Sequence, residues 1–317
     1  MLVLVIAKRG APHLRILDTL PAEVRIGESA SDFSAEDLEK AEIVVNGSHH
    51  GHVLEELWPS LKNLKWVHSL SAGVEGVVIP ALKASSIPLT NARGVYKRSL
   101  GEWAMLAMLY FAKDVRRLTR QKNDSRWEQF DVDMLSGATV TIIGYGEIGK
   151  EVAWRAKAFG MNVIATRRRV TEASDEFASE ICPSSENVKA IAKADYVVLS
   201  SALTPETRGM ISTSEFAAMK PSAVFINIGR GAVVDEPALI EVLEKGKIRG
   251  AGLDVFAEEP LPAESPLWKL DNVLLSPHSA DHTATWQHET VEFFVENFHR
   301  YTRGEALKNI VDKQAGY

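Results

Sequence analysis

ATVTIIGYGEIGKEVAWRAKAFGMNVIATRRRV, Ala138 to Val170, is the stretch on which the fold turns. It opens with an apolar, β-branched run lacking polar alternation, as expected of a strand covered on both faces. Gly144-x-Gly146-x-x-Gly149 follows directly, then a segment of helical composition, then a second apolar run, MNVIAT. Three glycines at this spacing are a weak signal alone. Between a strand and a helix, with a second strand after them, they predict a dinucleotide site. Gly144 would permit the tight turn, Gly146 would let the backbone approach a pyrophosphate at the helix N-terminus, and Gly149 would allow close helix–strand packing.

The end of the second strand faces the adenosine ribose in such a unit, and an Asp or Glu there usually selects NAD. Here Thr166, Arg167, Arg168 and Arg169 occupy that place. A carboxylate repels a 2′-phosphate, whereas a guanidinium binds it through a planar fork. The run therefore predicts NADP(H) in preference to NAD(H), with Arg167 and Arg168 as the main contacts. Its bland alternative is a solvated turn.

Working outward, apolar runs alternate with amphipathic segments. LVLVIA, EIVVNGS and LKWVHSL read as strands in the first part; ATVTIIG, MNVIAT, DYVVLS, AVFINIG, GAGLDV and NVLLSPH do so in the middle. Continuous apolar strands separated by helices predict α/β architecture with parallel sheets. Between the two series, Ser99 to Leu118 reads as one apolar helix with Ser99 and Glu102 at capping-box spacing. The tail reads as helix through about Arg303 with no strand following. It is expected to pack back on an earlier domain, which places the middle domain as an insertion. The expected division is a substrate-binding domain of residues 1–98 and 283–317 and a dinucleotide-binding Rossmann domain of residues 99–282.

The 317 residues, 45% of them hydrophobic, can bury about three quarters of the unfolded chain's surface at this size. A net charge of −6 argues against nucleic-acid or anionic-membrane partners. Cys182 is the only cysteine, so no internal disulfide forms. The opening MLVLVIAKRG reads as a strand rather than a signal peptide, and no apolar window is long enough to span a bilayer. The expectation is a soluble, cytoplasmic protein. His49-His50-x-His52 lacks a thiolate or an ordered acidic partner, so no metal is expected there.

Six segments in order resemble the D-isomer-specific 2-hydroxyacid dehydrogenase family over nearly the whole chain: SAGVEG (71–76), GYGEIG (144–149), LTPETRGMI (203–211), NIGRGAVVDEPAL (227–239), GLDVFAEEPLP (252–262) and SPHSA (276–280). The resemblance implies two Rossmann-like domains, the nucleotide domain inserted into the substrate domain, usually in a homodimer. It implies hydride transfer between 2-oxoacids and D-2-hydroxyacids in the cleft. Some relatives with a basic ribose site and an ESPLW-like segment reduce glyoxylate and hydroxypyruvate. Carried onto this chain, the catalytic residues are Arg230, Glu259 and His278. Cofactor contacts fall on Gly144, Tyr145, Gly146, Glu147, Ile148, Gly149, Thr166, Arg167, Arg168, Arg169, Ser201, Ala202, Thr207, Ile228, Gly229, Arg230, Asp254, His278 and Ala280. Substrate contacts fall on the backbone of Ala72, Gly73 and Val74 together with Arg230 and His278.

The chemistry supports these roles independently. Reducing a 2-oxoacid needs a hydride at C2 and a proton for the oxygen. A histidine is the natural acid near neutral pH. Glu259 would orient it and stabilise its charged form. Arg230 would grip the substrate carboxylate and polarise the carbonyl, and successive N–H groups at Ala72 to Val74 would form an anion nest. Two departures from the family pattern stand out. Ala202 replaces a proline and leaves its loop freer, and Asp281 places a carboxylate near the histidine, where it bears on substrate choice. Trp286 is either a pocket wall, a subunit contact or ordinary helix packing. The rival class is a dinucleotide-sensing, corepressor-like interaction protein with little turnover. A formate- or phosphite-oxidising relative fits the arginines poorly.

Overall fold

Strands that are apolar on both faces need layers above and below them. The computed structural model, which describes residues 1–47 and 51–316, provides these layers in two separate units. One comprises Met1–Tyr96 with Thr283–Tyr317, and the other Lys97–His282.

The first unit holds β1 (Leu2–Ile6), β2 (Glu23–Gly27), β3 (Ala41–Asn46), β4 (Trp66–Ser69) and β5 (Leu89–Asn91). They form a parallel sheet in the order β2-β1-β3-β4-β5. Successive side chains on a strand point to opposite faces. On β1 this sends Leu2, Leu4 and Ile6 into one core and Val3 and Val5 into the other. The first face also carries Val53, Leu54 and Leu57 of the helix Gly51–Leu57. The second is covered by Val291, Phe294 and Phe298 of the tail helix Trp286–Thr302, with the Phe294 ring 5.4 Å from that of Trp66. The tail thus completes the core begun by the first residues. Each buried phenylalanine contributes about 1.5–3 kcal/mol.

The second unit holds β6 (Thr139–Ile143), β7 (Asn162–Arg167), β8 (Glu180–Pro183), β9 (Tyr196–Leu199), β10 (Val224–Asn227), β11 (Gly250–Leu253) and β12 (Val273–Leu275). All pair in parallel, in the order β12-β11-β10-β9-β6-β7-β8. The helices Lys97–Ala112 and Glu147–Ala158 pack on each other and on this sheet. Phe216, Leu239 and Leu243, from the helices Thr213–Ala218 and Glu236–Glu244, join Val197, Leu199 and Phe225 in a core of the same unit. The α/β class and parallel sheets expected from the sequence are observed. Strand order reverses between β6 and β9, and ligands bind at the carboxyl ends of strands at such a switch point.

Two details differ from expectation. Strands β2, β5 and β8 had no counterpart among the apolar runs. The single helix expected over Ser99–Leu118 is two, Lys97–Ala112 and Val115–Asn123, separated at Asp114 with a left-handed φ of 44°. Ser99 is therefore not a cap. It lies inside the first helix and its hydroxyl donates to the Ala280 carbonyl.

Candidate active site

At the switch point the glycine turn is closed by one acceptor. The Gly144 and Tyr145 N–H groups both donate to the Thr166 carbonyl at 3.0 Å. Gly144 has φ +95°, and a Cβ there would lie 2.5 Å from Ser201 Oγ; a Cβ on Gly149 would lie 2.5 Å from the Gly144 carbonyl oxygen. Neither position admits a side chain. A Cβ on Gly146, by contrast, would meet nothing within 4 Å. This open space lies at the start of the helix Glu147–Ala158, whose first N–H groups have no intrahelical acceptor. The turn is thus tight where the fold needs it and open where a pyrophosphate would sit, so its residues fit a dinucleotide. Beside it, Gly229 runs so close to Ser201 that a Cβ would lie 2.8 Å from the Ser201 carbonyl oxygen. Ile228 is buried, and its N–H donates to Leu199 O. Glu147 pairs with Lys97 at 3.0 Å, and the Ile148 side chain is half-buried.

At the end of β7, Thr166 is wholly buried and its hydroxyl oxygen has no hydrogen-bond partner. Its structural contribution is the carbonyl that closes the turn. Arg167 is half-buried, and Arg168 and Arg169 are exposed. The loop after β9 is drawn together by Thr207, whose hydroxyl bonds the Ala202 carbonyl at 2.8 Å and accepts from the Thr204 N–H at 2.7 Å. Threonine hydrogen bonds thus tie the loop that was expected to be freer without proline.

Three further turns, after β10, β11 and β12, carry Arg230, Glu259 and His278. The His278 Nδ1–H donates to Glu259 Oε2 at 2.7 Å, and Glu259 Oε1 accepts the Phe256 N–H at 2.9 Å. The bond to Glu259 raises the histidine's pKa against burial and the nearby Arg230 charge. Burial pushes Glu259 up, but the His278 bond, the Phe256 N–H and the charges of His278 and Arg230 together hold it below the ordinary carboxylate value. Both shifts favour the charged forms, a carboxylate accepting from an imidazolium. Nδ1 is committed to Glu259, so Nε2 is the nitrogen available for proton transfer.

The His278 backbone is left-handed, with φ 51°. Its N–H donates to the carbonyls of Asp254 (2.8 Å) and Ser276 (3.0 Å). The buried Asp254 Oδ1 accepts from Ser276 Oγ (2.7 Å), Ser279 N–H (2.9 Å) and Ala280 N–H (3.0 Å). Asp254 therefore builds the turn that presents the histidine.

Comparison with known proteins bears directly on this geometry. Residues 105–280 match the family model described as D-isomer specific 2-hydroxyacid dehydrogenase, NAD binding domain. The chain is 34% identical to a D-3-phosphoglycerate dehydrogenase of Methanocaldococcus jannaschii over 82% of its own length, but spans only 50% of that protein. It is 35% identical to a glyoxylate reductase of Thermococcus litoralis, covering 82% of this chain and 80% of the other. The chain belongs to the D-isomer specific 2-hydroxyacid dehydrogenase family. Among solved structures it is similar to an NADPH-dependent glyoxylate/hydroxypyruvate reductase from Sinorhizobium meliloti in complex with NADP and sulfate, with TM-score 0.86, 26% identity and coverage of 100% and 99% of the two chains.

As a 2-hydroxyacid dehydrogenase the chain is an NAD(P)-linked oxidoreductase, and its glycine turn, arginine run and Arg230, Glu259 and His278 all lie in one unit. Ala72, Gly73 and Val74 lie in the other, in the loop after β4, where the Ala72 carbonyl accepts from the Asn91 amide and the Val74 carbonyl from the Val77 and Val78 N–H groups. Trp286 opens the tail helix, its ring 6.2 Å from that of Tyr96. His49 and His50 lie outside the described residues. Asp281 has a buried Oδ1 without a hydrogen bond, 3.7 Å from His282 Nε2. Burial raises its pKa despite the nearby His282 and His278. Sequence reasoning passed over Asp175, which accepts a hydrogen bond from the Tyr145 hydroxyl. It lies in a polar connection that matches no motif.

Proposed function

We propose that this 2-hydroxyacid dehydrogenase reduces a small 2-oxoacid of the glyoxylate or hydroxypyruvate type to the D-2-hydroxyacid, using NADPH in preference to NADH. The observation that carries the reading is the Glu259–His278 hydrogen bond, which keeps a proton on a histidine poised to donate from Nε2. The bound dinucleotide supplies the hydride that C2 of the oxoacid receives. His278 passes its proton to the carbonyl oxygen as that oxygen gains charge, and Glu259 stabilises the charged imidazole until then. Arg230 holds the substrate carboxylate and polarises the carbonyl. The N–H groups of Ala72, Gly73 and Val74 are assigned to the same carboxylate on the sequence pattern. Hydride and proton together convert C=O to CH–OH.

The cofactor preference rests on three arginines at the strand end where NAD enzymes carry a carboxylate. The similar Sinorhizobium meliloti reductase, described as NADPH-dependent and bound to NADP, supports it. Charge-assisted bonds from one or two guanidiniums give about ten- to several-hundred-fold preference. The proposed setting is the cytoplasm; among the described residues no helix is long and apolar enough to cross a membrane. The proposed assembly is a homodimer. In its support, Trp127, Val132 and Met134 lie exposed on the extended segment after Val115–Asn123, Trp127 at 96%.

The test is oxidation of NADPH and NADH by the purified chain with glyoxylate, hydroxypyruvate and pyruvate. Fast turnover with NADPH and slow turnover with NADH is expected. Replacing both Arg167 and Arg168 with Ala should weaken NADPH far more than NADH. Equal losses would return the arginines to a solvated turn, and tight NADPH binding without turnover on any oxoacid would favour a sensor.

A further inference from the structure

β7 leads to β8 through a connection with no helix, and its residues 168–174 are exposed. Arg168 and Arg169 open that loop. Long exposed side chains lose part of their binding free energy to ordering when a phosphate arrives. The arrangement around Tyr145 bears on this cost. Tyr145 is the second residue of the glycine turn and is only 2% exposed. Its N–H donates to the carbonyl of Thr166, immediately before the arginines. Its hydroxyl reaches the far side of the same loop, 2.9 and 3.0 Å from the two oxygens of Asp175. Asp175 Oδ1 also accepts the N–H groups of Phe177 (3.0 Å) and Ala178 (2.8 Å), and the Asp175 N–H donates to Ala178 O at 3.0 Å. One residue of the phosphate turn therefore holds the arginine loop at its start through its backbone N–H and at its return through its phenol.

We propose that Tyr145 and Asp175 form a latch that fixes the arginine loop in position for the 2′-phosphate of the cofactor, making both of them positioning residues for cofactor choice. The inference rests on the NADP reading and deepens it. Burial, the hydrogen bond to Asp175 and that residue's charge raise the phenol's pKa, so it remains a donor at neutral pH. The latch also directs three donors onto a carboxylate that would otherwise repel an incoming phosphate dianion.

Full-length Asp175→Ala and Tyr145→Phe, singly and together, are compared with wild type by steady-state kinetics with NADPH and NADH at saturating oxoacid. Each single change should raise KM for NADPH about ten-fold by restoring the loop's ordering cost, a larger factor than the change in KM for NADH. The double variant should be no worse than either single one, because both changes remove the same interaction. Tyr145→Phe keeps the ring and the backbone bond, so it separates the latch from packing of the turn. Equal losses for both cofactors, or no loss, would overturn the latch. If the arginine double variant loses NADPH preference while these variants keep it, the NADP reading stands and the latch falls. If wild type shows no preference for NADPH, both fall together.

Discussion

A left-handed histidine is an unusual choice for a position that asparagine or glycine would occupy with less strain. At His278 the cost, on the order of 1–3 kcal/mol, is met by the bonds that Asp254 and Ser276 make to the turn. His278→Asn separates the two demands on this residue, since asparagine tolerates the backbone but has no proton to give as an acid. Reductive kcat should fall by about 10²–10⁴-fold with the thermal midpoint held or slightly raised; wild-type turnover would remove the imidazole from the reaction. The pH dependence follows from Glu259. Its bond to His278 raises the histidine's pKa, so the protonated form extends to higher pH than in a free imidazole and is lost as pH climbs past that raised value. Glu259→Gln removes the charge, and the alkaline limb of kcat for reduction should move to lower pH. A limb that stays in place would belong to another group. The three residues are legible in the sequence because each sits in a short motif. The Asp254 hub and the Tyr145–Asp175 bond are not, because their partners lie 22 to 30 positions away in separate turns.

Elements were legible where a run of apolar residues marked them. Most runs that read as strands are internal to their sheets, β12 being the exception at an edge, where VLL still makes an apolar run. Strands β2, β5 and β8 were missed, and each is a sheet edge. In β2 the alternation of exposed and half-buried residues weakens the apolar signal, and β5 is only three residues long. The helix break at Asp114 was also invisible, since apolar spacing continues through it. What stops the first helix is a left-handed residue whose carboxylate accepts the Arg117 N–H at 3.4 Å and starts the next. Asp114→Ala should destabilise the chain by about 1–2 kcal/mol through the lost cap, and Asp114→Gly by less, because glycine accepts the positive φ. Urea unfolding followed by tryptophan fluorescence distinguishes them; equal midpoints would mean that backbone strain has no part in the break.

For the whole molecule, parallel sheets were readable from composition and order, whereas the neighbour of each strand was not. β6 lies between β7 and β9, and nothing in its residues names those neighbours. The same scale carries the proposed dimer. A tryptophan 96% exposed, with Val132 and Met134 close by in sequence, is an apolar surface that a second copy would cover. Wild type should sediment as a dimer and Trp127→Glu should dissociate more readily; a wild type that stays monomeric at every concentration would overturn the assembly.

The split first unit also has a consequence for synthesis. Val3, Val5, Ile43, Val45 and Trp66 form one face of its sheet, and Val291, Phe294 and Phe298 cover that face. At about 5–20 residues per second, all of residues 97–282 must leave the ribosome before the covering helix is made, a delay of roughly ten to forty seconds. The inserted unit has its own contiguous strands and can close while the earlier sheet waits. During that interval the nascent chain presents an uncovered apolar surface, and escape from aggregation depends on how quickly the last helix arrives.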